Sequence, residues 1–377
     1  MNAVRVWAVA RKELLHIVRD PRSLAMAIAV PMLLILLFGY ALTLDVDEVP
    51  LIIWDQSETR ASRGLLDAFH GSRYFRVLGY ARSYGELERE IDSGRALVAL
   101  VVPRDFADKA ESGRPASAQL IVDGSDSNTA TIAMGYAEAV VRNYSTVVTT
   151  DRLHRIGWRA VAPLQDLRPR VWFNADMESK NYIIPGLIAV IMMVIAALLT
   201  SLTVAREWER GTMEQLISTP VKGNELILGK LLPYFAIGML DVLLAVLMGE
   251  FLFEVPLRGR PALLFAMAAI FLAGALSLGM VISIVTRSQL LASQLAMVLT
   301  FLPSFLLSGF MYAIANMPVQ IQVMTNLVPA RHFVALLKGI YLKGIGLEVL
   351  GAQAALLALF GAGMVGLASL KFKKKLV

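Results

Sequence analysis

The sequence predicts a polytopic α-helical membrane protein with six transmembrane helices, a re-entrant segment and an inserted α/β domain. Of the 377 residues, 56% are hydrophobic and only 18% are charged, whereas soluble domains contain about 25% charged residues. The hydrophobic residues are concentrated in long uncharged runs, and about 20 helical residues suffice to cross the roughly 30 Å of hydrocarbon in a bilayer. A more polar stretch, residues 45–180, separates the first two runs.

Six apolar runs are each long enough to span the bilayer, and we predict transmembrane helices at residues 23–44, 182–205, 227–251, 261–286, 289–313 and 349–370. The fifth run continues without a charge to residue 330, which is too long for one crossing, and Pro303, Gly309 and Pro318 interrupt it. We therefore expect a re-entrant or periplasmic segment over residues 314–348, whose non-helical backbone must be shielded by protein or line a cavity.

Basic residues near the spans predict that both termini lie in the cytoplasm. Fourteen Lys and Arg residues lie before the first span, in residues 206–230, at position 287 and in the carboxy-terminal tail, but the short loops on the other side contain only five. Cytoplasmic loops are enriched in Lys and Arg, so residues 1–22 and the basic tail 371–377 are expected there. The first apolar run exceeds the roughly 7–15 residues of a signal-peptide core, so we expect it to be retained as a span.

Composition excludes several kinds of site. The chain has no cysteine, which excludes disulfides, zinc–thiolate sites and cysteine nucleophiles. His70 and His154 have no second ligand at metal-binding spacing, so we interpret both as surface histidines and expect no metal site. The net charge of +6 lies mainly beside the spans and not in a basic stripe interleaved with aromatic residues, so no nucleic-acid partner is expected.

The inserted domain, residues 45–180, is predicted to be an α/β unit. Strand-like runs at 49–54, 75–80, 96–102 and 118–122 alternate with helical stretches at 58–70, 84–93 and 105–111. A long helix begins at a cap near residues 125–128 and extends to about 155. The order in which the strands pair does not follow from these patterns.

A charged segment, residues 206–226, joins the second and third spans. Helical spacing places Trp208, Thr212 and Gln215 near one face, and Gly211 and Pro220 interrupt the segment. Such a segment is either a contact for a cytoplasmic partner or a solvated connector. The residues alone leave both interpretations open.

Three segments, in the expected order, resemble type-2 ABC exporter permeases, the transmembrane subunits of a class of ATP-driven transporters. The segments are NADMESKNYIIPGLIAVIM at 174–192, ERGTMEQLISTPVKGNELILGKLLPY at 209–234 and NLVPARHFVALLKGIYLKG at 326–344. The resemblance implies a half-transporter that pairs with a second permease, identical or related, and with two cytoplasmic ABC ATPase subunits that bind the ATP and Mg. A periplasmic adaptor protein is a further candidate partner, besides the lipid bilayer.

The resemblance also implies roles for two cytoplasmic segments. Residues 206–220 would be the coupling helix that receives the motion of the ATPase, and residues 5–22 an interfacial helix on the cytoplasmic leaflet. Glu207 and Glu214 are expected to be exposed contacts to the ATPase, and Gly211 to allow close approach. The candidate coupling residues are Arg206, Glu207, Glu209, Arg210, Gly211, Thr212, Glu214, Gln215 and Pro220.

The chain is not expected to hydrolyse ATP or to bind a cofactor. The run from Gly223 to Lys230 superficially resembles a phosphate-binding loop. It has five residues between its glycines where the motif requires four, and Leu231 stands where Ser or Thr must reach the magnesium ion.

Polar residues inside the spans are candidates for a substrate path. Asp241 lies near the middle of the third span, where a charge costs at least about 2.5 kcal/mol, so it lines a path or makes an interhelical hydrogen bond. The fifth span has a polar side that includes Gln294, Ser304 and Ser308.

These observations together predict the permease subunit of an ABC exporter in the bacterial inner membrane, moving hydrophobic or amphipathic compounds such as drugs or lipid-like molecules. The alternative is a membrane-anchored receptor whose periplasmic domain senses a ligand. Six spans and a re-entrant run exceed what an anchor needs. A transporter independent of ATP would predict more buried carboxylates or inverted repeats.

Overall fold

A computed structural model describes residues 2–42, 48–155, 172–174 and 178–372. The chain divides into two compact units: a helical unit, Met1–Thr43 with Arg170–Val377, and an α/β unit, Leu44–Pro169. The predicted tail beyond Phe372 and the side chain of His154 lie outside the described part of the protein.

The helical unit begins with α1 (Ala3–Arg19), which the Asn2 side chain caps by accepting a hydrogen bond from the Val4 amide at 3.0 Å. One face of α1 packs on a later helix, and its buried residues are Val9, Ala10, Glu13 and Ile17. The helix ends before Pro21, as the sequence predicts, because a proline ring cannot follow within a helix without a break.

The first predicted span is a helix in three pieces: α2 (Pro21–Leu24), a wider π-type turn (Ala25–Ala29) and α3 (Val30–Ala41). Its apolar part is shorter than those of five later helices. Those five helices, by length and composition, can each cross a membrane; they are Ser179–Glu209, Gly223–Leu252, Pro261–Thr286, Gln289–Leu307 and Leu347–Lys371.

Short helices lie between the five long helices. Gly223–Leu252 consists of a regular helix and a terminal π-type turn, Met248–Leu252. The regular helices, short and long, are α8 (Ser179–Glu209), α9 (Thr212–Ser218), α10 (Gly223–Leu247), α11 (Pro261–Thr286), α12 (Gln289–Leu307), α13 (Val319–Thr325), α14 (Pro329–Lys338) and α15 (Leu347–Lys371).

Helix α8 is the centre of the helical unit, and α11 packs closely along it. A Cβ atom at Gly279 of α11 would collide with the carbonyl oxygen of Ala197 and the hydroxyl of Thr200, so only glycine permits this approach. The Thr200 hydroxyl also donates to the carbonyl of Leu276 at 2.8 Å.

The fifth predicted span ends earlier than expected. Helix α12 stops at Leu307, not at residue 313, because Gly309 has a φ of +77°, a conformation that favours glycine. The segment 314–348 is more helical than the predicted non-helical backbone, since it contains a 3₁₀ turn (Ile314–Asn316), α13, and α14 with its π-type turn (Gly339–Lys343). Helix α14 is buried, and the Phe333 ring stacks on the Phe271 ring of α11 with the ring centres 4.1 Å apart.

The α/β unit confirms the predicted strands and helices. A four-stranded sheet has the order β2-β1-β3-β4, in which β1 pairs in parallel with β2 and β3, and β3 pairs antiparallel with β4. The strands are β1 (Val49–Asp55), β2 (Phe75–Tyr80), β3 (Val98–Val102) and β4 (Gln119–Val122). The helices are α4 (Arg60–His70), α5 (Tyr84–Asp92), α6 (Phe106–Ser112) and α7 (Ser127–Arg155).

Both faces of the sheet are covered, so its central strands are apolar on both sides. Leu51 and Ile53 pack in one cluster with α4 and α7, whereas Ile52 packs in the other with α5. The predicted cap of α7 is Asp126, to which the Thr129 hydroxyl and the Asn128 amide donate. These hydrogen bonds lower the pKa of the Asp126 carboxyl.

Candidate functional site

The charged segment between α8 and α10 folds as a tight turn followed by a short helix. Helix α8 ends at Glu209, and Gly211 adopts a φ of +70°, which terminates a helix at little cost only when the residue is glycine. Helix α9 then begins at Thr212. The expectation that Trp208, Thr212 and Gln215 share one helical face is therefore wrong, because Trp208 lies on α8 and the other two on α9.

Glu207 lies in a buried cluster of charges, not on the surface. Its Oε1 atom is 2.9 Å from Nζ of Lys12 and 3.2 Å from Nζ of Lys230. Nζ of Lys230 also contacts the Glu13 carboxylate, and the Thr212 hydroxyl donates to the second oxygen of Glu207. Two carboxylates and two ammonium groups thus balance one another.

The cluster brings four helices together. Lys12 and Glu13 belong to α1, Glu207 to the end of α8, Thr212 to α9 and Lys230 to α10. Only 1% of Lys230, 3% of Glu13 and 9% of Glu207 is exposed. A buried charge without a partner costs several kcal/mol, whereas a paired and hydrogen-bonded one is tolerated. The geometry therefore fixes the segment against α1 and α10.

A second set of contacts attaches the start of α1 to the end of the segment. The buried carboxylate of Glu225 accepts hydrogen bonds from the amides of Asn2 and Lys222 at 2.8 and 2.9 Å. Arg5 lies 3.8 Å from the same carboxylate and donates to the Pro220 carbonyl at 2.8 Å.

A third set joins the end of α8 to the start of α12. The Glu209 carboxylate accepts a hydrogen bond from the Gln289 amide at 2.8 Å, which caps α12. The Arg287 guanidinium lies 4.7 Å from the centre of the Trp208 ring, a cation–π distance. Arg206 contacts Gln289 Oε1 at 3.4 Å.

The predicted coupling residues consequently divide into two groups. Arg206, Glu207 and Thr212 point towards other helices, and their side chains are buried or half-buried. Glu209 is exposed but bonded to α12, whereas Arg210, Glu214, Gln215 and Pro220 lie exposed around Gly211. The expectation of an exposed carboxylate thus fits Glu214 and is wrong for Glu207.

The candidate path residues do not form one cluster. Asp241 is 2% exposed, and its Oδ1 atom has no hydrogen-bond partner among the described residues, so the alternative of an interhelical hydrogen bond finds no support there. Ser304 and Ser308 are buried on α12 and at its end, whereas Gln294 is exposed.

The sequence did not predict the contacts of Lys338, which is one of the five basic residues assigned to the short loops. Its ammonium group donates to the Gly309 carbonyl at 3.0 Å and lies 3.2 Å from the centre of the Tyr182 ring. The Tyr182 hydroxyl donates to the same carbonyl at 3.0 Å. This clasp joins α14 to α8 at the point where α12 ends. The available signal was a lysine at the end of the apolar run 333–337.

Comparison with known proteins identifies the family. Residues 21–370 match the family described as ABC-2 family transporter protein. The chain belongs to this family.

Relatives of this ABC-2 chain are full-length matches. It is 39% identical over 373 residues to the probable multidrug ABC transporter permease YbhS of Escherichia coli K12, covering 99% of this chain and 97% of YbhS. It is 30% identical to the probable multidrug ABC transporter permease YbhR of the same organism, over 92% of each chain. The inner membrane transport permease YhhJ of E. coli K12 is 26% identical over 86% of this chain and 85% of YhhJ.

The family and the apolar helices establish a multi-pass inner membrane protein that is the permease subunit of an ABC transporter. Its relatives are likewise named as permeases. The buried charge cluster accordingly lies in a permease, beside the segment that the sequence predicts to couple it to an ATPase.

We predict that Glu207→Gln destabilises the protein and Glu214→Gln does not. The first substitution leaves the buried ammonium group of Lys230 and the exposed one of Lys12 opposite a single carboxylate, Glu13, and removal of one partner of a buried pair costs about 3–5 kcal/mol. The second changes an exposed side chain in the same segment, where effects stay within about 0.5 kcal/mol. Denaturant unfolding of the purified chains in mixed micelles measures both, and equal stabilities would contradict the cluster.

Proposed function

We propose that the chain is the permease subunit of an ATP-driven exporter that moves hydrophobic or amphipathic compounds, drug-like or lipid-like, out across the bacterial inner membrane. A separate ATPase subunit binds ATP and Mg and supplies the energy, and a second permease completes the pore. The relatives named multidrug permeases support this substrate class. Nothing among the described residues or in the relatives' names points to a periplasmic adaptor.

The observation that favours coupling through residues 206–220 is the division of that segment into an outer and an inner surface. Arg210, Glu214 and Gln215 are exposed and available to a cytoplasmic protein. A few residues away, Glu207 is joined to α1 and α10. A force applied to α9 by the ATPase would therefore reach three helices of the permease through contacts that are already formed.

The proposed topology has both termini in the cytoplasm, the α/β unit in the periplasm and six spans. The three helical pieces between Pro21 and Ala41 form the first span and bring the number of spans to six. They extend for 21 residues, or about 31 Å at 1.5 Å per residue. The basic residues on the side of residues 206–230 support this orientation.

Asp241 is the preferred candidate for the substrate path. Its Oδ1 atom has no hydrogen-bond partner among the described residues. An unsatisfied buried polar atom is costly, and a polar group of a passing substrate, or water in the path, would satisfy it. Ser304 and Ser308 are secondary candidates because both are buried, and Gln294 is a weaker candidate because its side chain is exposed.

A receptor is the alternative function, with the α/β unit sensing a periplasmic ligand. Membership of a transporter family disfavours it. Ligand-dependent signalling without transport would support it.

We predict that single cysteines at Ser93 and Ser112 react with an impermeant thiol reagent added to the periplasm, and that cysteines at Ser218 and Lys374 do not. Ser93, Ser112 and Ser218 are exposed, and the native chain contains no cysteine, so the background is low. All four cysteines should react after the membrane is permeabilised. The reverse labelling pattern would overturn the topology.

We predict that Glu214→Lys abolishes export and reduces the ATPase that copurifies with the permease at least tenfold, while insertion remains normal. Like charges brought together at an interface cost several kcal/mol. Because Glu214 is exposed, the substitution should change the free energy of unfolding little. The matched control is Glu88→Lys, the same charge reversal on the exposed surface of α5 in the α/β unit. If Glu214→Lys retains wild-type ATPase and export, this carboxylate is not the contact.

A further inference from the structure

The outward side of α1 combines apolar and basic side chains in adjacent sectors. Helical spacing places Trp7, Leu14 and Val18 in one sector, and all three are exposed, Trp7 by 61%. Arg11, Leu15 and Ala8 follow next around the helix, and Lys12, His16 and Arg19 lie beyond them. The opposite side of α1 is buried against α10 and provides no room for a ligand.

The basic sector forms a shallow open groove of about 530 Å³ along α1. Its lining residues are Ala8, Arg11, Lys12, Leu15, His16 and Arg19. Among the described residues that line the groove there is no carboxylate, and the basic ones are two arginines, one lysine and one histidine. A helix of the fold therefore presents a concentrated positive charge beside an apolar surface.

The neighbouring helix adds to this charge. An amine nitrogen of the Arg206 guanidinium lies 3.5 Å from Nε2 of His16, so α8 contributes a further cation at the edge of the groove. The carboxylate that Lys12 contacts, Glu207, is also bonded to Lys230 and Thr212. Within the described part of the chain, the guanidinium groups of Arg11 and Arg19 make no hydrogen bond or ion pair.

We propose that this groove binds the phosphate of an anionic phospholipid from the adjacent membrane leaflet, with the acyl chains against the exposed apolar sector of α1. Arginine and lysine bind phosphate by charge-assisted hydrogen bonds. A helix with an apolar face beside a basic one lies in the membrane interface, at the depth of the phosphates. A soluble anion would satisfy the charges but leave Trp7, Leu14 and Val18 in water, which is why a lipid is favoured over free phosphate.

The consequence is a lipid bound next to the residues that position the coupling segment. Lys12 lines the groove and also bonds Glu207, and His16 contacts Arg206. An anionic headgroup would draw the charges of α1 and the end of α8 together.

Native mass spectrometry of the full-length permease in detergent tests this proposal. Phosphatidylglycerol and phosphatidylcholine with identical acyl chains are titrated separately. The wild type should bind phosphatidylglycerol at least tenfold more tightly than phosphatidylcholine. Each basic residue near an anionic surface contributes about fivefold in affinity, so Arg11→Gln with Arg19→Gln should reduce phosphatidylglycerol binding about 30-fold and remove the preference. Arg11→Lys with Arg19→Lys, which retains both charges, should preserve it.

The matched control removes two exposed arginines elsewhere, Arg89→Gln with Arg142→Gln in the α/β unit, and should bind phosphatidylglycerol like the wild type. An equal loss in this control would show general charge attraction and overturn the proposal. Displacement of the lipid by millimolar glycerol phosphate would assign the groove to a soluble anion and also overturn it. A third result would also overturn the proposal: the wild type shows no lipid preference, and Arg11→Gln with Arg19→Gln loses the copurifying ATPase. The groove would then be a contact for a protein.

Discussion

The pairing of Lys230 with Glu207 and Glu13 is the interaction that holds the charged segment of this permease, residues 206–226, against the helices around it. The two carboxylates come from α8 and α1, and the ammonium group comes from α10. Lys12 of α1 supplies a second ammonium group. The four charges neutralise one another only while the three helices remain together, because an unpaired buried charge is costly. This constraint places α9, which begins at Thr212 immediately beside Glu207, at a fixed position on the helical unit.

Helix α8 connects this charge cluster to the other helices of the helical unit. Its carboxy-terminal end is bonded to α1, α10 and α12, its middle packs on α11 at Gly279, and its amino-terminal end meets α12 and α14 at the Lys338 clasp. Helices that are close-packed over this length move as a body more readily than they bend. A displacement at α9 could thereby reach the Lys338 clasp without any change of side-chain packing in between.

The sequence predicted the elements well and the long-range contacts poorly. The strands and helices of the α/β unit appear within about two residues of their expected bounds, because alternation, caps and turn residues are local signals. Strand order and the burial of Glu207 depend on residues far apart in the chain; Lys12 is 195 positions from Glu207. Glu207 and Glu214 lie in the same charged segment, and only the approach of α1 and α10 distinguishes them.

A double-mutant cycle of Glu207→Gln and Lys230→Met, measured by denaturant unfolding of the full-length chain, tests the central claim most directly. Residues in one buried network lose less stability together than the sum of their separate losses. The account predicts that the double variant is more stable than additivity allows by about 1 kcal/mol or more. Additive losses would show that Glu207 and Lys230 act independently, and the coupling segment would then not be held by this cluster.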